Sequence, residues 1–239
     1  MDSLYSNYLD EYRLFNVYLP PNYDENEDYP IIYATDGERS IAGSRVKSLL
    51  DSLIQHTLIE PLIYVGSHAN HKKIGSGTFM MHYRFYEYVD NDTDLQGLEW
   101  RFKNHMKFFT QELIPEIEDR YIQNGDDPYR LFYGSSNGAG FGSSMLNRYP
   151  ELIDTYILFS TLGSKVENKE WRKDISYPEL YLKYGSEEKE AFKKEANLLA
   201  EKYRQSNSSY ELKVYEGGHD HLKWHEEFEK TLVEIFKGE

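Results

Sequence analysis

The sequence predicts an α/β fold, with a mostly parallel central sheet covered by helices on both faces and built as one domain over residues 1–239. Two observations lead there. Short apolar runs of strand length alternate with longer runs whose apolar residues recur at helical spacing, and strands separated by helices pair in parallel and become buried on both faces. The composition is also continuous, with no repeat, low-complexity segment or linker that would divide the chain. A chain of 239 residues buries roughly 70% of its unfolded surface, so it needs no disulfide or metal staple to fold.

Each element follows from local pattern. Tyr12–Leu19 alternates apolar and polar residues and stops at Pro20-Pro21, so it reads as a strand ended by a turn. Tyr29–Thr35 is a compact apolar run of buried-strand type. In Ile41–Ile59 the positions Val46, Leu49, Leu50, Leu53 and Thr57 share one helical face, ended by Pro61. Leu62–Ser67 is the next strand. From Leu98 to Tyr121 one apolar face carries Phe102, Met106, Phe109, Leu113, Ile117 and Tyr121. Pro115, lacking an N–H, must kink or restart that helix. Then come strand Tyr129–Tyr133, helix Gly138–Tyr149, strand Ile153–Ser160 and an irregular stretch to about Tyr177. Strand Glu179–Tyr184, helix Lys189–Gln205, strand Tyr210–Tyr215 and helix Leu222–Phe236 close the chain.

Charge and composition exclude several classes. The chain carries 41 Asp+Glu against 27 Lys+Arg, a net charge of −14, which disfavours nucleic acid as a partner. Cys is 0, which excludes a disulfide scaffold, a thiolate zinc site and a cysteine nucleophile. No apolar run approaches the ~18 residues of a membrane-spanning helix. The opening Met1-Asp2-Ser3 has no apolar signal region, so a soluble, cytoplasmic protein is expected. The 22 Tyr are scattered along the chain and read as core aromatics.

In a parallel sheet, ligands sit beyond the carboxyl ends of the strands, so the loops there are the ones to search. After the Tyr129–Tyr133 strand stands Gly134-Ser135-Ser136-Asn137-Gly138, a G-x-S-x-G between strand and helix. This is the nucleophile-elbow pattern. A strained turn presents the central serine, and the flanking glycines let strand and helix approach closely. The neighbouring Gly138-Ala139-Gly140-Phe141-Gly142-Ser143 fails as a dinucleotide loop, because the third glycine of G-x-G-x-x-G would fall at Ser143.

A nucleophilic serine needs a base, and in this order of elements the acid and then the histidine follow it. Glu216-Gly217-Gly218-His219-Asp220-His221 follows the last strand and makes His219 the candidate base. Gly185-Ser186-Glu187-Glu188 follows the preceding strand and offers Glu187 and Glu188 as acids; pattern alone does not choose between them. His219, His221 and His225 raise a metal-site alternative, but H-E-x-x-H is missing, and neither metal nor cofactor is expected. A non-catalytic binding module of the same fold would be expected to have lost the serine or the histidine, and both are present.

The chain resembles the enterochelin esterase and esterase D branch of the α/β-hydrolase superfamily. The matching stretches are Val17–Glu25, Tyr29–Glu38, Arg84–Tyr88, Glu112–Tyr121, Gly134–Gly140, Arg148–Ile153, Tyr184–Glu188 and Glu216–Asp220, in family order. The resemblance implies a serine esterase with Ser136 as nucleophile, His219 as base and Glu188 as the acid of a G-x-x-[DE] motif. It places the oxyanion hole at the backbone N–H groups of Asn137 and Glu38. Asn137 stands where Met is commoner, and Glu188 where Asp is common.

The expected reaction is hydrolysis of a small-molecule carboxylester whose natural identity is not legible, a siderophore-type or feruloyl-like aromatic ester being one option. Ser160–Tyr177 is too short for a large lid, which implies an open cleft. The stretch His68–Tyr86 carries Lys72, Lys73 and Arg84 without an acid, which reads either as a loop that meets an anionic or catecholate substrate or as a merely solvated loop. Oligomeric state is not legible.

Overall fold

The computed structural model describes residues 1–40, 45–74, 81–90, 98–122 and 127–237. In chain order these form β1 (Asp2–Ser6), β2 (Glu11–Tyr18), β3 (Ile31–Ala34), α1 (Gly37–Ser40), α2 (Arg45–Gln55) and β4 (Ile63–Ser67). A short ribbon of β5 (Lys73–Ile74) and β6 (Met81–His82) leads into α3 (Tyr83–Tyr88) and α4 (Glu99–Phe108). A π-helical turn, Phe109–Leu113, then joins α4 to α5 (Ile114–Tyr121). The second half runs β7 (Arg130–Ser135), α6 (Asn137–Arg148), β8 (Thr155–Phe159), β9 (Glu179–Gly185), α7 (Glu190–Gln205), β10 (Tyr210–Tyr215) and α8 (His221–Lys237).

Eight strands form one sheet in the order β1-β2-β4-β3-β7-β8-β9-β10. From β4 to β10 all pairs are parallel, whereas β2 runs antiparallel to both β1 and β4. Helices cover both faces, and the alternation of side chains shows why. From β3, Ile31 and Tyr33 enter one core with Phe102, Phe109, Ile117, Phe141 and Leu199, whereas Ile32 and Ala34 enter the other with Leu50, Trp224 and Phe228. β8 divides in the same way, with Tyr156 and Leu158 on the first side and Ile157 and Phe159 on the second. Tyr33, Tyr64, Tyr88, Tyr156 and Tyr203 are fully buried, so much of the tyrosine excess is core.

Several expectations shift. β1 went unpredicted, because it is a five-residue edge strand with mostly exposed side chains. The helix expected over 41–59 ends at Gln55, and Thr57 takes a left-handed φ of 54°; residues 41–44 of that expectation lie outside the described residues. Pro115 restarts the helix as expected, at the second residue of α5, and the π-helical turn absorbs the missing N–H.

A buried ion cluster fixes α3. Glu87 is fully buried and accepts hydrogen bonds from Arg13 of β2 at 2.8 and 3.0 Å and from Arg101 of α4 at 2.7 and 3.0 Å. A buried carboxylate needs such pairing to remain charged.

Candidate active site

The loops beyond β3, β7, β8, β9 and β10 converge at the carboxyl edge of the sheet, and each contributes to one cluster. Between the last residue of β7 and the first of α6 stands Ser136 alone, with φ 56° and ψ −128°. Its N–H donates to the Phe159 carbonyl at 2.9 Å, which ties the turn to β8. Such a backbone is costly for a residue with a Cβ and persists only where its surroundings enforce it. The glycines show how tight they are. A Cβ on Gly134 would lie 2.6 Å from the Gly138 carbonyl oxygen, and one on Gly138 would lie 2.2 Å from Thr35 Oγ1.

His219 Nε2 lies 3.1 Å from Ser136 Oγ. Gly217, with φ 135°, gives the loop before His219 a conformation that suits glycine. The imidazole lies between two aromatic rings, Phe192 of α7 at 4.4 Å and Trp224 of α8 edge-on at 4.6 Å. On its other side, Nδ1 lies 3.6 Å from Glu188 Oε1, an ion-pair distance just beyond hydrogen bonding. Glu188 is buried, while Glu187 beside it is exposed. The structure therefore brings Ser136, His219 and Glu188 together and leaves Glu187 outside.

Glu188 is held by partners that sequence pattern did not single out. Oε1 accepts hydrogen bonds from Ser160 Oγ and from Tyr215 OH, the latter at 3.0 Å. Trp224 Nε1–H donates to Ser160 Oγ at 2.9 Å and to Tyr215 OH at 3.0 Å. Burial pushes the carboxyl up, but the neighbouring His219 imidazole and the hydrogen bonds from Ser160 and Tyr215 outweigh it and hold the group below its ordinary value. Burial and the neighbouring carboxylate push Tyr215 well up, so it remains a neutral donor. Ser160 carries φ 53°, a second strained residue at this edge. These three lie 28, 27 and 36 positions from Glu188, too far for a local motif to reveal them.

The other expected residues are placed as follows. The Asn137 side chain donates to the Leu162 carbonyl at 3.2 Å. Glu38 accepts from Ala69 N–H at 3.0 Å and pairs with His71 Nε2 at 2.7 Å. Its burial raises the carboxyl, but His71, the Ala69 N–H and its own N–H lower it more, so it stays below the ordinary value. Lys72 Nζ sits 5.0 Å from the Tyr83 ring, and Lys73 is exposed at the start of the β5–β6 ribbon. Arg84 is committed elsewhere: Nε and Nη2 fork onto the two Asp36 carboxylate oxygens at 2.5 and 2.8 Å. His221 packs edge-on to Trp224 at 4.8 Å, and burial lowers His225. Among the described residues no group of three His, Cys, Asp or Glu is placed to hold a metal ion.

A strained serine at a strand-to-helix turn, a histidine from the last strand's loop and a mostly parallel sheet covered on both faces define an α/β-hydrolase fold. Within that class the chain belongs to the esterase family described as "Putative esterase", which it matches over residues 6–235. It is 23% identical over 231 residues to "Uncharacterized protein YjcH" of Bacillus subtilis (strain 168), covering 92% of this chain and 90% of that protein. In fold it is similar to a ferulic acid esterase (TM-score 0.76, 20% identity, 99% of this chain and 96% of that one). It is also similar to the enterobactin esterase FES of Shigella flexneri (TM-score 0.74, 17% identity), where 99% of this chain covers 58% of that one. No helix among the described residues is long and apolar enough to cross a membrane.

Proposed function

We propose that the chain is a serine carboxylester hydrolase working through an acyl-enzyme. The observation that carries this reading is Ser136 Oγ at 3.1 Å from His219 Nε2, on a strained elbow, with buried Glu188 behind Nδ1. Ser136 Oγ attacks the ester carbonyl while His219 Nε2 takes its proton. The tetrahedral oxyanion is met by the N–H groups of Asn137 and Glu38, and loss of one such donor typically costs about 3 kcal/mol. The carbon–alkoxy bond then breaks, and the alcohol leaves with the proton from His219. Water, deprotonated by His219, attacks the acyl-enzyme and releases the acid and Ser136. Glu188 stabilises the imidazolium formed in both halves. No step calls on a cofactor.

The acyl group proposed is a small aromatic one, of feruloyl or siderophore catecholate type. The resemblance to a ferulic acid esterase and to an enterobactin esterase supports it, as do Lys72 and Lys73 on a stretch that lacks acids. Hydrolysis of p-nitrophenyl acetate, methyl ferulate and a catecholoyl-serine ester by the purified protein tests this. His219→Ala should lower turnover roughly 10³-fold or more on all of them. Full turnover in that variant, or no hydrolysis of any of the esters by the wild type, would overturn the proposal.

A further inference from the structure

We propose that Arg84 is a positioning residue for the loop Asp36-Gly37-Glu38, and that it cancels the Asp36 charge at the start of α6 instead of contacting an anionic substrate. This rests on the Ser136 reading above. Asp36 is a strained residue, φ 58°, directly after β3 and two residues before the proposed oxyanion donor Glu38. Two residues of α3 hold it. Arg84 forks onto both carboxylate oxygens at 2.5 and 2.8 Å, and Tyr88 OH accepts from the Asp36 N–H at 3.4 Å. The guanidinium lies 4.8 Å from the Tyr88 ring, which supports its orientation. α3 itself is immobilised through Glu87 by Arg13 and Arg101, so Arg84 stands on a rigid base.

The position of the carboxylate makes its charge matter. Its Oδ2 lies 3.3 Å from where a Cβ on Gly138 would sit, so it touches the first turn of α6, two residues beyond Ser136. In the tetrahedral intermediate, negative charge develops beside that same turn, at Asn137 N–H. An uncancelled carboxylate there would oppose the charge that the hole must stabilise. With side-chain exposures of 18% and 11%, Arg84 and Asp36 are poorly screened by water, and each already has its partner. A planar fork meets two carboxylate oxygens at once, which a lysine cannot do.

The test compares Arg84→Gln, Arg84→Lys and the double variant Arg84→Gln/Asp36→Asn on two aryl esters. One is neutral p-nitrophenyl acetate, and the other is mono-p-nitrophenyl succinate, whose acyl group carries a carboxylate. Arg84→Gln should lose about 10- to 100-fold in kcat on both esters, with KM within about twofold. Arg84→Lys should fall between it and the wild type. The double variant, neutral at both positions, should recover most of the kcat lost in Arg84→Gln. A KM increase confined to the succinate ester, with kcat unchanged, would overturn the proposal in favour of a substrate contact. A double variant no better than Arg84→Gln would overturn the charge argument. Thermal melting of each variant shows whether it is folded, and if Arg84→Gln is not, Arg84→Lys and the double variant carry the comparison. Failure of the underlying reading is distinguishable: the wild type would then take no fluorophosphonate on Ser136.

Discussion

Replacing Glu188 with Gln removes one charge and keeps the side chain's size. In the wild type Oε1 stands 3.6 Å from His219 Nδ1. When the imidazole takes the Ser136 proton, the two charges attract by about 4–5 kcal/mol at an effective dielectric of ~20. His219 is 36% exposed, so screening by water reduces this to about 3 kcal/mol, which corresponds to roughly 10²–10³-fold in kcat. The amide oxygen can still accept from Ser160 and Tyr215, so the loop after β9 should keep its place. Steady-state hydrolysis of p-nitrophenyl acetate, with Glu187→Gln as the exposed control, measures the effect. KM should change little, and the control should stay near wild type. Equal losses in both variants would refute the choice of Glu188 over Glu187, and no loss in Glu188→Gln would leave a Ser–His pair without an acid.

Other expectations concern packing, pH and metal. Gly138→Ala drives a methyl to 2.2 Å from Thr35 Oγ1 and should cost about 1–3 kcal/mol in urea unfolding, with loss of esterase turnover. Glu38, Glu188 and the α8 residue Glu227, which accepts hydrogen bonds from Lys183 and Lys230, are each held below their ordinary 4.5 because their partners outweigh burial. Their contribution to stability is therefore complete above about pH 4.5 and lost as pH falls through the lowered values; urea midpoints from pH 7 to pH 3 measure it, and Glu188→Gln should flatten the decline. Dialysis against EDTA and the substitution His221→Ala should both leave turnover within about twofold, whereas inactivation reversed by zinc would favour a metal centre at His219, His221 and His225.

What the sequence disclosed divides by range. The buried parallel strands were legible, because β3, β4 and β8 are nearly continuous apolar runs bounded by turn residues. So was the elbow, whose glycines answer to a steric demand visible in five consecutive residues. Edge strand β1 was not legible, since an exposed edge needs no apolar alternation. The partners of Glu188 were also hidden: Ser160 directly after β8, Tyr215 at the end of β10 and Trp224 in α8 meet only in the folded chain. Arg84 shows the limit of counting charges along a segment. It lies in a stretch without acids, yet its carboxylate partner, Asp36, is 48 positions earlier, in the loop directly after β3.

The central claim, that Ser136 is an activated nucleophile, is tested most directly by a fluorophosphonate probe. An ordinary serine does not react with such a reagent, whereas one paired with a base beside an oxyanion hole does. Intact-mass analysis of the labelled wild type should show one adduct, peptide mapping should place it on Ser136, and both Ser136→Ala and His219→Ala should lack it. An adduct that persists in Ser136→Ala, or an unlabelled wild type that still hydrolyses esters, would contradict the account.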